Sequence, residues 1–224
     1  MIKEFLYLMK LTFFKVSLNR IFQQIFAKNM TAGKRIVEFG SHKDSKKNFT
    51  NFINVKDRNN IIYADKFDDV DKNILKQDLE GKLNFKDNSL DSVVIFNVLE
   101  HVYDVNNAVK EIYRCLDKNG NIIGSTPFIH RIHGAPEDFN RYTSQFLNTV
   151  LERHNFVNIQ IKSHGYGPCT ACYAIIFDYT KMIPILNNIL LASSILVDKF
   201  INVFVKTDLG KIYPITYCFY GEKK

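Results

Sequence analysis

The stretch Asp91-Ser-Val-Val-Ile-Phe-Asn97 decides the fold, because it holds four apolar residues in a row that are closed by a polar one. An unbroken apolar run predicts a strand that is covered on both faces, as the strands of a parallel sheet are. The segment Arg35-Ile-Val-Glu-Phe-Gly40 predicts a second short buried strand, which ends in a glycine turn. Together the two segments indicate a sheet in the interior of the protein.

Strands and helices alternate on either side of these two segments. Further strands are predicted at residues 60–65, 73–78, 121–125, 156–163 and 214–221, and helices at residues 106–116 and 144–154. Asn119-Gly120 is expected to end the first of these helices. The alternation predicts an α/β fold with a doubly wound, mostly parallel sheet of seven strands. The length of 224 residues suits one such domain with added segments.

Four of the predicted strands end in a turn-forming or polar residue. These residues are Gly40, Asp65, Asp78 and Asn97. In open parallel sheets, ligands bind beyond the carboxyl ends of the strands, near the point where the strand order reverses. Two acids and a glycine at three successive strand ends therefore predict a site for a nucleoside-type ligand.

Several longer segments resemble a known family. Asp87-Asn-Ser-Leu-Asp-Ser-Val-Val-Ile-Phe-Asn-Val-Leu-Glu-His-Val102 resembles the fourth-strand region of class I S-adenosylmethionine-dependent methyltransferases, and residues 108–120 and 122–128 are similar to that family's next helix and strand. His133-Gly-Ala-Pro-Glu-Asp-Phe-Asn-Arg-Tyr-Thr143 is similar to methyltransferase-like proteins (type 11) of bacterial surface-polysaccharide gene clusters. The resemblance covers about residues 35–165 and the strand at 214–221, and it implies a Rossmann-like fold with S-adenosylmethionine as cofactor.

The resemblance also implies which residues bind the cofactor. In the family, the loop after the first strand wraps the methionine part, and Glu38, Gly40 and Ser41 match positions of that loop. His42 and Asp44 stand where further glycines are usual, so the loop departs from the family pattern.

Three residues at the later strand ends match further cofactor-binding positions. Asp65 matches the acid that accepts hydrogen bonds from both ribose hydroxyls, a task for which a carboxylate has two suitable oxygens. Asp78 matches the residue that holds the adenine amino group, and Asn97 lies where the methionine amine would be.

Methyl transfer to a sugar hydroxyl would also need a base, because that hydroxyl is weakly acidic. The candidates are His101, His133 and Asp138. His101 could equally be a structural histidine bonded to backbone at the start of a helix. Arg141, together with His133 and Asp138, is predicted to bind the acceptor through a phosphate or carboxylate, or else to pair with Asp138 and fold the loop back.

The predicted function is S-adenosylmethionine-dependent O-methylation of a sugar, a glycan precursor or another small molecule. The departure of the glycine loop favours an alternative, a catalytically inactive methyltransferase-like protein that binds or scaffolds in surface-glycan biosynthesis. His130 and His133, and likewise Cys169 and Cys172, have spacings seen in metal sites, but neither pair has a partner pair at a suitable distance. No metal site is predicted.

The net charge of +7 is concentrated in residues 1–47, where ten Lys or Arg residues stand against three acidic ones. Residues 1–30 are also rich in Phe, Leu and Ile, and they are predicted to form a basic, apolar helical segment before a methyltransferase-like domain at 31–224. Two interpretations stay open, a helix packed on the domain and a helix on an anionic membrane surface. A nucleic-acid partner is not expected, because the charge is not spread over a folded face.

A helical insert at residues 169–206 is the second addition. Nine apolar residues between Ile185 and Phe204 share one helical face, with Asn187, Asn188 and Asp198 on the other, and Ile195 is an exception. The apolar face is expected to pack on the domain. The alternatives are a second copy of the chain, giving a homodimer, and a membrane surface contacted through residues 1–30 and 185–204.

The sequence also indicates a location. No stretch reaches the roughly 18 uncharged apolar residues of a membrane span, and the start of the chain has no cleavable secretory signal. Four cysteines in a chain of this length indicate reduced thiols. The predicted location is therefore cytoplasmic, with peripheral attachment to the inner face of the membrane as an extension.

Overall fold

The structure is a computed structural model that describes residues 2–43, 45–67, 73–134 and 137–224. Its helices are α1 (Ile2–Phe13), α2 (Leu18–Ala27), α3 (Val105–Cys115), α4 (Ser144–Arg153), α5 (Pro168–Thr180), α6 (Pro184–Phe204) and α7 (Leu209–Ile212). Its strands are β1 (Thr31–Ala32), β2 (Ile36–Phe39), β3 (Asn54–Val55), β4 (Ile61–Asp65), β5 (Ile74–Lys76), β6 (Leu90–Phe96), β7 (Leu116–Pro127), β8 (Phe156–His164) and β9 (Thr216–Lys223). Three short 3-10 helices lie at Phe49–Asn51, Arg58–Asn60 and Leu99–His101.

The predicted seven-stranded α/β sheet is confirmed. The strands lie in the order β5-β4-β2-β6-β7-β9-β8, and β1 and β3 form a separate pair that the sequence analysis did not predict. The pairs β5–β4, β4–β2, β2–β6 and β6–β7 are parallel. After β2, the chain adds β4 and β5 on one side of that strand, and it later adds β6 and β7 on the other side. The reversal of strand order therefore lies at β2, which is where ligands of such sheets bind.

Two element boundaries differ from the sequence prediction. Helix α3 ends at Cys115 instead of at Asn119-Gly120, and β7 begins directly afterwards. Asn119 has a left-handed backbone (φ +61°), and a Cβ on Gly120 would lie 2.8 Å from the Asp117 carbonyl oxygen. The Asn-Gly pair therefore does not cap the helix. It lies within β7, where the pairing with β6 shifts register between Leu116 and Asn121.

The N-terminal segment contains two helices, α1 and α2, where one was predicted. Residues 14–17 separate them, and Lys15 has a left-handed backbone (φ +63°). A lysine in that conformation interrupts the helical hydrogen-bond ladder. The helix that the sequence predicts is therefore interrupted between Phe13 and Leu18.

The described residues group into two compact units. The helical unit comprises residues 2–23, 127–132 and 163–217, and the sheet unit comprises residues 24–126, 133–162 and 218–224. In the sheet unit, Ile36, Val94 and Ile123 from three neighbouring strands lie in one buried cluster. The Phe49 and Phe96 rings stack in it with their centroids 3.8 Å apart, which anchors the segment that follows β2.

In the helical unit, α6 packs against α1 and α5 with its polar side inward. Asn187 and Asp198 are fully buried, whereas Ile189, Leu196 and Phe200 are 60%, 64% and 66% exposed. The expectation that the apolar face packs on the domain is therefore wrong. Ile195, the apparent exception in the helical pattern, is buried because it lies on the inward side.

Hydrogen bonds explain why the polar side of α6 faces inward. The Asn187 side-chain carbonyl accepts hydrogen bonds from Tyr173 Oη (3.0 Å) and Thr180 Oγ1 (2.8 Å). Asn188 Nδ2 donates to the Met9 carbonyl, and its Oδ1 accepts from Thr12. These paired polar groups can be buried without the cost of unsatisfied donors or acceptors. By length and composition, α6 is also long and apolar enough to cross a membrane.

Candidate active site

The carboxyl ends of β2, β4 and β6 converge on one cavity of about 200 Å³. Its lining consists of Phe39, Gly40, Asp65, Lys66, Gln77, Asp78, Leu79, Glu80, Asn97, Val98, His101 and Val102. The structure thus brings together the four predicted strand-end residues and one of the candidate bases. All of them belong to the sheet unit.

Gly40 turns the chain sharply after β2. Its backbone is left-handed (φ +71°), and its N–H donates to the Ala64 carbonyl at 2.9 Å. A Cβ at this position would lie 2.7 Å from Val98 Cγ2, so the close approach requires a glycine. The turn leaves backbone at the cavity wall where a side chain would otherwise stand.

Replacing Gly40 by alanine is expected to lower the free energy of unfolding by about 1–2 kcal/mol, because the new Cβ adds a clash to an unfavourable backbone conformation. Urea denaturation followed by circular dichroism measures the loss. Gly81→Ala is the matched control, since a Cβ there would meet its nearest atom at 3.7 Å. Equal stability of the two variants would contradict the assignment of strain to Gly40.

Backbone hydrogen bonds set the two acids side by side. Asp65 ends β4, and its carbonyl accepts from Gln77 N at 2.8 Å, which brings Asp78 to the same rim. Asp65 Oδ1 accepts from Lys66 N at 2.7 Å, and Asp78 Oδ1 accepts from Glu80 N at 3.0 Å. Each carboxylate has a second oxygen to offer a ligand. Asp65 is half-buried and Asp78 is exposed.

Asn97 follows β6 with a left-handed backbone (φ +55°), a conformation that asparagine tolerates better than most residues. Its N–H donates to the Ser125 carbonyl at 3.0 Å, which ties the end of β6 to β7. Asn97 therefore stands in the cavity wall at the end of β6, the strand next to β2, as the strand-end argument requires.

Glu38 and Ser41 do not line the cavity among the described residues. The buried Glu38 carboxylate accepts hydrogen bonds from Phe49 N (2.6 Å), Thr50 N (3.1 Å) and Thr50 Oγ1 (2.5 Å). Burial raises the pKa of Glu38, and these hydrogen bonds oppose the rise. From the interior of the protein, the Glu38 carboxylate thus anchors the segment that follows β2. Ser41 Oγ hydrogen-bonds the side chain of Asn48.

His42, one of the two departures from the glycine pattern, lies outside this lining. His42 is half-buried and not among the lining residues, and its carbonyl accepts from Asn48 Nδ2 at 2.7 Å. Asp44 lies outside the described residues. In the described part of the loop, no histidine ring fills the space between Asp65 and Asp78.

The two histidines proposed as bases lie next to each other. The His101 and His133 rings meet edge to face with centroids 5.0 Å apart, although 32 residues separate them in the chain. His101 Nδ1 forms a hydrogen bond with the Glu137 carbonyl, which is the backbone contact expected of a structural histidine. His101 also lines the cavity.

Asp138 and Arg141 form an ion pair, which is one of the two roles predicted for Arg141. Arg141 Nη1 and Nη2 donate to the two Asp138 oxygens at 2.5 and 2.7 Å, and His133 N donates to Oδ2 at 2.9 Å. The guanidinium holds the pKa of Asp138 far below its usual range. A carboxylate so strongly stabilised is a weak proton acceptor, which leaves His101 and His133 as the better candidate bases.

Glu100 belongs to the same neighbourhood but was missed by the sequence analysis. It is fully buried, and within the described residues neither of its carboxyl oxygens has a hydrogen-bond partner. Burial raises the pKa of Glu100 to about 8, and the positive charge of Arg141 partly opposes the rise. Its only signal in the sequence is its position beside His101.

Residues 45–124 match a protein family described as a methyltransferase domain. No curated protein sequence matches the chain.

Three solved structures illustrate the similarity of fold. A methyltransferase from Thermotoga maritima has a TM-score of 0.55 and 15% identity, covering 92% of this chain and 89% of its own. One from Archaeoglobus fulgidus has a TM-score of 0.52 and 15% identity, covering 89% of each chain. Phosphoethanolamine N-methyltransferase 2 of Haemonchus contortus, in complex with S-adenosylhomocysteine, has a TM-score of 0.53 and 13% identity over 90% of this chain.

This chain spans about half the length of the Haemonchus contortus enzyme, 51%. The similarity to the two shorter enzymes extends over about nine tenths of this chain. The chain therefore has the class I, Rossmann-like fold of S-adenosylmethionine-dependent methyltransferases, and its residues 45–124 match their methyltransferase domain.

Proposed function

We propose that this protein binds S-adenosylmethionine in the cavity at the strand ends and transfers its methyl group to an oxygen atom of a sugar, a glycan precursor or another small molecule. The observation that carries the proposal is the convergence of Gly40, Asp65, Asp78 and Asn97 on one cavity. The methyltransferase-domain match of residues 45–124 and the cofactors of the structurally similar enzymes support the same cofactor.

The residues of the cavity fit this cofactor. Asp65 would accept hydrogen bonds from the ribose hydroxyls, Asp78 would hold the adenine amino group, and Asn97 would meet the methionine amine. Gly40 lets the backbone approach the ligand, because a Cβ there has no room. Bound S-adenosylmethionine supplies a methyl group already activated on sulfur, so the protein mainly holds and aligns the two reactants.

His101 and His133 are the residues that would take the proton of an acceptor hydroxyl. His101 lines the cavity, and its ring contacts that of His133. Arg141 already pairs with Asp138, so its contribution to the acceptor site would be to hold the loop of residues 137–143 in place. A glycan acceptor follows from the resemblance of residues 133–143 to proteins of surface-polysaccharide clusters.

Isothermal titration of the purified chain with S-adenosylmethionine and with S-adenosylhomocysteine tests the proposal. We expect one binding site per chain and, with a suitable nucleotide-sugar or glycan acceptor, formation of S-adenosylhomocysteine. The absence of binding heat at millimolar ligand would contradict the proposal and favour the alternative, an inactive scaffold in surface-glycan biosynthesis.

We also propose that the helical unit attaches the protein to the inner, anionic face of a membrane. The apolar side of α6 is exposed, while its polar side is buried and hydrogen-bonded. α1 adds exposed Ile2, Leu6 and Phe13, together with exposed Lys3 and Lys10. An apolar surface with lysines beside it suits an anionic bilayer, where each lysine near the surface contributes about 1 kcal/mol.

Sedimentation with phosphatidylcholine vesicles, with and without phosphatidylglycerol, tests this attachment. The parent chain is expected to pellet with the anionic vesicles, and a variant with Ile189→Ser, Leu196→Ser and Phe200→Ser should bind them more than about tenfold more weakly, because each buried apolar side chain contributes roughly 1.5–3 kcal/mol. The control is Ile62→Ser with Val157→Ser, two exposed apolar residues of the sheet unit.

Two results would overturn the membrane proposal. One is a parent chain that stays in the supernatant at low and high salt. The other is a stable homodimer in sedimentation velocity that the triple variant dissociates, since the apolar side of α6 would then be covered by a second copy of the chain.

A further inference from the structure

We propose that Glu100, His101 and His133 bind a divalent transition-metal ion beside the cofactor cavity. One ligand atom from each residue lies within 4.8 Å of the other two. His101 Nε2 is 3.9 Å from Glu100 Oε1. Atoms bound to one zinc ion at about 2.0–2.2 Å in a tetrahedron lie about 3.3–3.6 Å apart, so side-chain rotations would have to bring the three ligand atoms closer together.

The state of Glu100 is the second, independent indication. Its side chain is fully inaccessible to solvent and has no hydrogen-bond partner in the described chain. A buried carboxyl group without a partner is unfavourable, and a cation is one of the few groups that makes such a site favourable. A bound ion would keep the Glu100 carboxylate ionised.

The surroundings of the two histidines suit ligation. A carbonyl oxygen only accepts hydrogen bonds, so the contact of His101 Nδ1 with the Glu137 carbonyl places the proton on Nδ1. Nε2, which lies 3.9 Å from Glu100 Oε1, then carries the lone pair that a metal ion needs. His133 Nδ1 lies 3.4 Å from Asp138, which Arg141 holds. Backbone carbonyls and carboxylates behind the imidazoles are the usual outer partners of metal-binding histidines.

The donor set indicates the class of ion. Two imidazoles and one carboxylate are typical of zinc and of other first-row divalent metals, and they discriminate against magnesium and calcium, which prefer oxygen ligands. Three protein ligands leave coordination positions open. Sites of this kind bind a substrate or water in the remaining positions.

The site also narrows the acceptor class, and this step rests on the proposed function. His101 belongs both to the cluster and to the cavity wall, so an ion there would hold acceptor oxygens next to the cofactor. Two neighbouring oxygens, as in a vicinal diol of a sugar or in an α-hydroxycarboxylate, would bind such an ion as a chelate. With the ion bound, the imidazoles of His101 and His133 would be ligands and could not also take the hydroxyl proton. The ion would instead make the bound hydroxyl acidic enough to lose that proton to water.

Titration of the chelator-treated full-length chain with Co²⁺ alone, followed by visible absorption and calorimetry, tests the site. We expect one Co²⁺ per chain and at least about tenfold weaker binding by Glu100→Gln, His101→Ala and His133→Ala. Glu100→Gln keeps the volume of the side chain, and far-ultraviolet circular dichroism checks that each variant is folded. His130→Ala, at an exposed histidine, is the matched control and should bind Co²⁺ as the parent does.

The proposal is overturned if the folded parent binds no Co²⁺ below millimolar concentration, or if the three variants bind it as tightly as the parent does. Asp65→Asn separates this question from cofactor binding, because Asp65 is not in the cluster. That variant is expected to bind Co²⁺ normally while its affinity for S-adenosylmethionine falls. A parent that binds Co²⁺ but not S-adenosylmethionine would support the metal site and contradict the proposed function.

Discussion

Replacing Asp198 by alanine is expected to lower the free energy of unfolding by about 3 kcal/mol, because it leaves buried hydrogen-bond donors without a partner. The Asp198 carboxylate accepts from Cys169 N (2.9 Å), Thr170 N (2.8 Å) and Thr170 Oγ1 (2.8 Å). The first two donors belong to the first turn of α5, whose N–H groups have no partner within the helix. Asp198 thus supplies from α6 the cap that α5 lacks in its own sequence.

Thermal denaturation followed by circular dichroism measures this effect, and a loss of that size corresponds to a fall of roughly 6–12 °C in Tm for a chain of this length. Asp198→Asn should lower the free energy of unfolding by less, since its amide oxygen still accepts a hydrogen bond from one donor. Asp178→Ala is the matched control, because its ion pairs with Lys181 and Arg131 are partly exposed and such pairs contribute at most about 1 kcal/mol. An Asp198→Ala variant as stable as Asp178→Ala would show that the cap contributes little.

Asp65→Asn should weaken the binding of S-adenosylmethionine by about 10- to 100-fold, since hydrogen bonds to a charged group contribute roughly 1.5–3 kcal/mol. An amide keeps one accepting oxygen and replaces the other by a donor, which cannot accept from a second ribose hydroxyl. Asp65 already uses Oδ1 for Lys66 N, and asparagine can keep that contact. The variant is therefore expected to lose affinity for the ligand, while the turn after β4 keeps its hydrogen bond.

Calorimetric titration of the variant gives the ratio of dissociation constants. Asp57→Asn is the control, because Asp57 caps a 3-10 helix at Asn59 N (3.0 Å), where asparagine serves as well as aspartate. If Asp65→Asn bound S-adenosylmethionine as tightly as Asp57→Asn, Asp65 would not be the ribose-binding residue, and the orientation of the cofactor in the cavity would have to be revised.

The cavity at the strand ends was largely predictable from the sequence. Gly40, Asp65, Asp78 and Asn97 each follow a recognisable strand, and the carboxyl ends of parallel strands share one edge of the sheet. Glu38 was harder to place, because a residue inside a strand next to the glycine turn can point either to the ligand or into the interior. In the structure, its buried carboxylate accepts hydrogen bonds from the first residues of the 3-10 helix at Phe49–Asn51.

The cluster of Glu100, His101 and His133 could not be predicted, since no fixed spacing connects the 3-10 helix at Leu99–His101 with the loop that holds His133. The hydrogen bonds that Phe139 N and Asn140 N donate to the Glu100 carbonyl bring this loop back to the helix. Contacts of this kind depend on how a loop closes, and the spacing of metal-ligand motifs gives no information about them.

By itself, the sequence determined the seven strands, their alternation with helices and the polar residues at the strand ends, because a buried strand needs a local run of apolar residues that is visible in the chain. Only the tertiary structure decided which side of α6 faces inward. The helical pattern separates an apolar from a polar face, but it does not say which of them finds partners. Asn187 and Asp198 accept hydrogen bonds from groups of α5, and this contact between two packed helices turns the apolar side of α6 outward.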